Sequence, residues 1–173
     1  MLQRARAALP EVLHDESGQA GLAHGAGFSL PIPNGFRALT SGGPLDELRK
    51  AGGVALAEEK PPALDNPFLG SIVVTPIPQT NFDEKDPAAC ATVSDQIATV
   101  TGTTLRRHGI VKAVWGDTCQ FEIAAPKEKP NRGGRGTVAR AGSNLWMIMC
   151  NFDVRDQTSL NACDAVAAGF KSE

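Results

Sequence analysis

The strongest apolar pattern of the chain lies in residues 142–173. Residues 145–150 are apolar at successive positions, which is typical of a strand covered on both faces. A polar linker follows, in which Asp156 or Thr158 can cap a helix. Apolar residues then recur at helical spacing: Leu160, Cys163, Val166, Ala167 and Phe170. The pattern predicts a central strand and a helix that lies back on the sheet.

Upstream, alternating apolar residues and turn signals predict further strands. They fall at residues 28–33, 36–39, 54–57, 71–75, 104–115, 118–124 and 137–141. Asp86 and Pro87 are suited to the N-cap and first position of a long helix that Gly102 ends, and residues 44–50 form a shorter one. Short turns between neighbouring strands favour antiparallel pairing. We therefore predict an α+β fold, a single layered domain with an antiparallel sheet of about six strands covered by two long helices.

The N-terminal residues have a different character from the rest. Residues 1–26 are rich in glycine and polar residues and are predicted to be a flexible tether, with the domain spanning residues 27–173. Residues 1–20 contain no apolar stretch of the kind found in signal peptides. We expect either a cytosolic protein or a mature form with an added initiating Met.

Length and charge limit the class of protein. A chain of 173 residues suits one domain, and its net charge of −2 gives no general attraction to nucleic acid. No apolar run approaches the roughly 18 residues of a membrane span, although the tether is compatible with a membrane attachment upstream. The expected partner is therefore another protein, with no nucleic acid and no transmembrane segment.

All four cysteines fall on predicted inward-facing positions, two on helices and two on strands. They are Cys90, Cys119, Cys150 and Cys163. One interpretation is four buried thiols of a cytoplasmic protein. The other is two disulfides that join helices to the sheet in an exported, periplasmic or cell-envelope protein. Of the three connectivities, we favour Cys90–Cys119 and Cys150–Cys163.

Residues capable of catalysis are scattered. His14 and His24 fall in the predicted tether, and His108 lies on a strand away from any exposed cysteine. The acidic residues near the two long helices lack the spacing of a calcium loop and suit helix capping. No nucleotide-binding, hydrolase or metalloprotease motif occurs. We therefore expect no enzyme, no cofactor and no catalytic or metal site.

A basic stretch is the remaining candidate for function. Residues 101–140 contain eight basic and three acidic side chains. The loop at 127–136 is basic and glycine-rich, but it lacks the aromatic residues that stack on nucleic-acid bases. It is predicted to be a solvated hairpin loop, or else a surface for an anionic partner. The candidate partner-binding residues are Arg106, Arg107, Lys127, Lys129, Arg132 and Arg135.

Two stretches resemble a known family. Residues 27–36, GFSLPIPNGF, are similar to the opening strand of the PsbP-like, DcrB-like fold, which includes the Mog-type Ran-binding proteins. Residues 142–152 and 162–171 are similar to its last strand and helix, which finish in a small residue, Phe and Lys. The resemblance implies a protein-binding or periplasmic, lipoprotein-like module, and it brings no catalytic residues with it.

Three functional hypotheses follow. The first is a non-enzymatic, exported bacterial module that binds another protein through a sheet face or edge. The second is a periplasmic inhibitor or immunity protein that blocks an enzyme with the basic loop. The third is an enzyme with an unrecognised polar pocket, which requires a cleft with clustered ionisable groups.

Overall fold

Two antiparallel sheets and three helices are found in the computed structural model, which describes residues 21–59, 70–78, 81–124, 132–153 and 156–173. The strands are β1 (Leu22–Gly25), β2 (Phe28–Pro31), β3 (Phe36–Ala38), β4 (Val54–Glu58), β5 (Ser71–Pro76), β6 (Thr104–Ala113), β7 (Gly116–Ala124), β8 (Arg132–Ala141), β9 (Asn144–Asp153) and β10 (Lys171–Ser172). The helices are α1 (Pro44–Lys50), α2 (Pro87–Thr101) and α3 (Gln157–Gly169).

The larger sheet has seven strands in the order β3-β4-β5-β9-β8-β7-β6. β9 lies at its centre and pairs with β5 on one side and β8 on the other, as the apolar run predicts. Trp146, Ile148 and Cys150 of β9 are buried on one face, and Leu145 and Met147 are buried on the other. The continuous apolar run is thus explained by a strand that faces two cores.

Each face of the large sheet has its own cover. α2 packs on β6 and β7 over one core, whereas α3 and the small sheet β1-β2-β10 cover the opposite core. Both favoured disulfides are present: Cys90–Cys119 joins α2 to β7, and Cys150–Cys163 joins β9 to α3. Each core therefore contains one covalent link between a helix and the sheet.

The predicted helix caps are confirmed. The Asp86 carboxylate accepts a hydrogen bond from the Ala88 N–H at 3.0 Å, and Asp156 accepts one from the Thr158 N–H at 2.9 Å. α2 ends at Gly102, whose φ of 64° lies in the left-handed region that glycine adopts at little cost.

The strand count and the helix count need correction. Instead of about six strands, the described residues form a seven-stranded sheet and a separate three-stranded sheet. Of the two long helices predicted, only α2, with 15 residues, is long; α3 has 13 and ends where Phe170 becomes extended and leads into β10. The small sheet shares the cover of one face with α3, so a second long helix is not needed there.

The observed boundaries of the tether and of the glycine-rich loop also differ from the predicted ones. β1 lies within residues 1–26 and pairs with β2, while residues 1–20 lie outside the described part. β8 begins at Arg132, inside the stretch predicted to be a loop. A Cβ on Gly136 would lie 2.1 Å from the Phe121 ring. This glycine is therefore a packing position within a strand, not a turn residue.

Candidate functional site

Two of the candidate basic residues lie in one row across the sheet because of its register. Arg107 in β6 is opposite Glu122 in β7, and Glu122 is opposite Arg135 in β8. Residues in register across antiparallel strands point to the same face. Arg135 is also opposite Cys150, which forms a disulfide with Cys163 of α3. The row therefore lies on the face of the large sheet that α3 partly covers.

Glu122 is the centre of a charge network. Its Oε1 accepts hydrogen bonds from Arg107 Nη2, 2.6 Å away, and from Arg135 Nη2, 3.2 Å away. Arg135 Nη1 also donates to Asp164 Oδ1 at 2.7 Å. The hydrogen bond from Arg107, helped by Arg135, holds the pKa of Glu122 below its usual range although burial opposes this. Such a carboxylate is a weak base near neutral pH.

Arg106 differs from its neighbour because it lies at an irregularity in the strand. The register of β6 against β7 shifts between Leu105 and Arg107, which is the signature of a β-bulge. Arg106 and Arg107 are both exposed although they are consecutive, and so is His108, which follows them. Within the described residues, Arg106 makes no ion pair or hydrogen bond through its side chain.

A shallow cleft of about 230 Å³ connects these groups, and we call it the arginine cleft. Its lining residues are Arg106, Arg107, Glu122, Ile123, Gly133, Gly134, Arg135, Phe152 and Leu160. The apolar side chains of the lining are Ile123, Phe152 and Leu160, so the cleft combines charged and apolar groups. Such a combination suits binding of a polypeptide surface.

The structure brings only part of the predicted set together. Arg106, Arg107 and Arg135 line the arginine cleft, and Arg132 begins β8 opposite Asp153. Lys127 and Lys129 lie outside the described residues. Glu122 and Asp164 are not among the residues predicted for the site, because their contacts depend on strand register and on the position of α3. The opposite charges of the two strands, acidic in β7 and basic in β8, are the signal that could have indicated the pairing.

A second groove, of about 540 Å³, lies between β3, β4 and the start of α3. There the Ser159 hydroxyl lies 2.8 Å from Glu58 Oε1 and 2.9 Å from Asp156 Oδ2. Burial, followed by the nearby Asp156 charge, raises the pKa of Glu58, while the Ser159 hydrogen bond opposes the rise. Because Asp156 also caps α3, this cluster has a structural role at the helix start.

The remaining reactive residue types are separated. His108 is exposed on β6, and His24 lies 3.0 Å from Glu173, far along the chain. All four cysteines are in disulfides, so none can act as a thiolate nucleophile. Across the part of the chain that the structure describes, no three His, Cys, Asp or Glu side chains are grouped as a metal site.

These features define a disulfide-linked α+β domain with a basic surface cleft. Its fold is PsbP-like. The solution structure of cyanobacterial PsbP (CyanoP) from Synechocystis sp. PCC 6803 matches with a TM-score of 0.58 and 14% identity, over 93% of this chain and 98% of that one. The crystal structure of LpqN, described as involved in cell envelope biogenesis of Mycobacterium tuberculosis, matches with a TM-score of 0.50 and 12% identity, over 83% of this chain and 82% of that one. At such identities the likeness concerns the fold.

Sequence comparisons add no closer relationship, since neither a protein-family model nor a curated protein sequence matches the chain. Two further observations concern the compartment. The two disulfides favour a location outside the cytoplasm, where thiols are oxidised. Of the helices described, none is long and apolar enough to cross a membrane.

Proposed function

We propose that this protein is a non-enzymatic, exported module of the bacterial cell envelope that binds another protein through the arginine cleft. The observation that carries the proposal is Arg106, an exposed guanidinium that lines the cleft at a bulge and has no ion pair within the described residues. Arginine is enriched at protein interfaces, where it combines apolar contact with several hydrogen bonds.

The chemistry of the cleft supports binding over catalysis. Glu122, the carboxylate among the described lining residues, accepts hydrogen bonds from two arginines and has a lowered pKa, so it is unsuited to removing a proton from a substrate. Among the described residues that line the arginine cleft, none is a serine, cysteine or histidine. The groove at Glu58 has a carboxyl with a raised pKa, but Ser159 and Asp156 engage it in the helix start.

The envelope location rests on two kinds of support. The disulfides favour an oxidising compartment, and LpqN, which has a similar fold, is described as involved in cell envelope biogenesis. We extend that role to this chain as part of the proposal.

The inhibitor hypothesis depended on a basic loop at residues 127–135, of which Lys127 and Lys129 lie outside the described residues. Arg135 lies in β8, with 16% of its side chain exposed, and pairs with Glu122 and Asp164. A residue held by two carboxylates is not free to enter the active site of an enzyme. The surface around Arg106 is therefore the better candidate for contact with a partner.

The test is site-specific photocrosslinking in the envelope of the producing cell. A photoreactive residue at position 106 should capture a discrete partner, whereas the same residue at position 50, on the exposed helix α1, should not. With the photoreactive residue at position 108, Arg106→Glu should reduce capture about tenfold, and Lys50→Glu should leave it unchanged. Equal capture from positions 106 and 50 would sink the proposal.

A further inference from the structure

The outer strand of the large sheet, β6, has the properties of a docking edge. It is the last strand in the sheet order, and within the described residues no strand pairs with its outer side. After the bulge, residues 107–113 are in uninterrupted register with β7. This segment is therefore regular enough to continue the sheet by one more strand.

The charges of β6 select the kind of strand that could pair with it. The strand contains three basic residues, Arg106, Arg107 and Lys112, together with His108, and no acidic residue. All four of these side chains are exposed. Basic residues on an edge oppose pairing with a second copy of the same strand, because like charges would be brought together. They favour an acidic strand instead.

Gly109 gives independent support for the close approach of another chain to the middle of β6. A Cβ at this position would meet nothing within 4 Å, and its φ is not positive. Neither internal packing nor backbone conformation therefore requires glycine here. A glycine inside a strand weakens the strand, and it often marks a place where another chain comes close.

We propose that β6 pairs with an extended, acidic segment of the partner protein, which adds an eighth strand beside residues 107–113. This inference rests on the proposed function, because it specifies how the partner of the arginine cleft is bound. Main-chain hydrogen bonds along β6 supply affinity, and Arg106 and Lys112 supply charge selection at the two ends. With a rise of about 3.4 Å per residue, these two side chains mark a contact about 20 Å long.

The first test uses three synthetic ten-residue peptides with the full chain. One alternates Glu and Val, the second alternates Lys and Val, and the third is the Glu-Val peptide with every second backbone nitrogen methylated. Binding is measured from amide chemical shifts of isotope-labelled protein. The Glu-Val peptide should shift the amides of residues 107–113, the methylated form should bind at least about tenfold more weakly, and the Lys-Val peptide should not bind.

A variant separates strand pairing from binding in the cleft alone. Lys112 is remote from the arginine cleft. Lys112→Glu should weaken binding of the Glu-Val peptide about fivefold, whereas the control Lys50→Glu should leave its binding unchanged. Equal binding of the methylated and unmethylated peptides, or no binding of either, would overturn the inference. After either of these peptide results, crosslinking from position 106 still tests the proposed function separately. If that crosslinking fails while the peptide binds as expected, the proposed function fails and the edge preference stands.

Discussion

At the scale of single residues, the most constrained charge is Glu84, which precedes α2. Its side chain is 2% exposed. Its two carboxylate oxygens accept hydrogen bonds from Arg140 of β8: Oε1 from Nε at 2.6 Å and Oε2 from Nη2 at 2.8 Å. The Arg140 hydrogen bond lowers the pKa of Glu84 although burial opposes this. The sequence suggested a general complement to the helix dipole, but the structure assigns this residue a specific partner. The pair links the start of α2 to the large sheet.

Removing Arg140 should leave a buried carboxylate without its partner. Loss of one member of a fully buried pair costs roughly 3–5 kcal/mol. Because 39% of the Arg140 side chain is exposed and water can reach it, we expect Arg140→Ala to lower the free energy of unfolding by about 2 kcal/mol. Urea denaturation at pH 7 measures this. Lys50→Ala, which breaks the exposed Lys50–Glu47 pair, is the control and should change stability by less than about 0.5 kcal/mol.

The sign of the pH dependence follows from the lowered pKa of Glu84. The contribution of the pair is fully present above the unfolded-state pKa of a Glu, about 4.3, and is lost as the pH falls through the lower folded-state pKa. As the pH falls from about 5 to about 3, an interval that contains this unfolded-state pKa, Glu84→Gln should therefore lose less stability than the wild type. Parallel stability curves for the two proteins would contradict this role of Glu84.

At the scale of elements, the disulfides fix each covering helix to the central strands. Cys90–Cys119 closes a separation of 29 residues and Cys150–Cys163 one of 13. In the chain-entropy model, these links stabilise the fold by about 3.5 and about 3 kcal/mol. We expect Cys90→Ala/Cys119→Ala and Cys150→Ala/Cys163→Ala to lower the free energy of unfolding by at least these amounts, as measured by denaturation without reductant.

Reduction of the wild type provides the control for the cysteine variants. With reductant present, all proteins contain only thiols or alanines, so the differences should shrink to the packing cost of the removed sulfur atoms, about 1 kcal/mol for each residue. If the differences persist unchanged under reductant, the cysteines stabilise the fold by packing and not by covalent linkage.

The elements that could be read from sequence are those with local signals. Asp86, Pro87 and Gly102 fixed the ends of α2, and the apolar run at 145–150 identified the central strand. β10 was missed because a strand of two residues contains too little pattern, and β1 was missed because it lies in the stretch that was predicted to be a tether. The network around Glu122 was missed because it depends on register across three strands, which one sequence does not specify.

At the scale of the whole molecule, an aromatic cluster joins distant parts of the chain. Phe28 of β2 packs against Trp146 of β9 with ring centroids 4.6 Å apart, and against Phe170 at 5.0 Å. Trp115, in the turn between β6 and β7, packs edge-on against Phe170 at 5.4 Å. The tip of the β6–β7 hairpin is thereby attached to the residue that follows α3. We expect this attachment to help hold β6, and with it the proposed docking edge, in place beside its pairing with β7 and its packing on α2.

Trp115→Ala should release the tip of the hairpin from Phe170. We expect the free energy of unfolding to fall by about 2 kcal/mol, less than the roughly 3–5 kcal/mol for a fully buried Trp, because Trp115 is half-buried and its indole N–H has no partner within the described residues. Hydrogen exchange should accelerate in β6 and β7 more than in β9. Val114→Ala is the matched control in the same turn, where Val114 is 66% exposed, and it should change stability by less than about 0.5 kcal/mol. If exchange accelerates equally in all strands, Trp115 supports the global fold and does not specifically hold the docking edge in place.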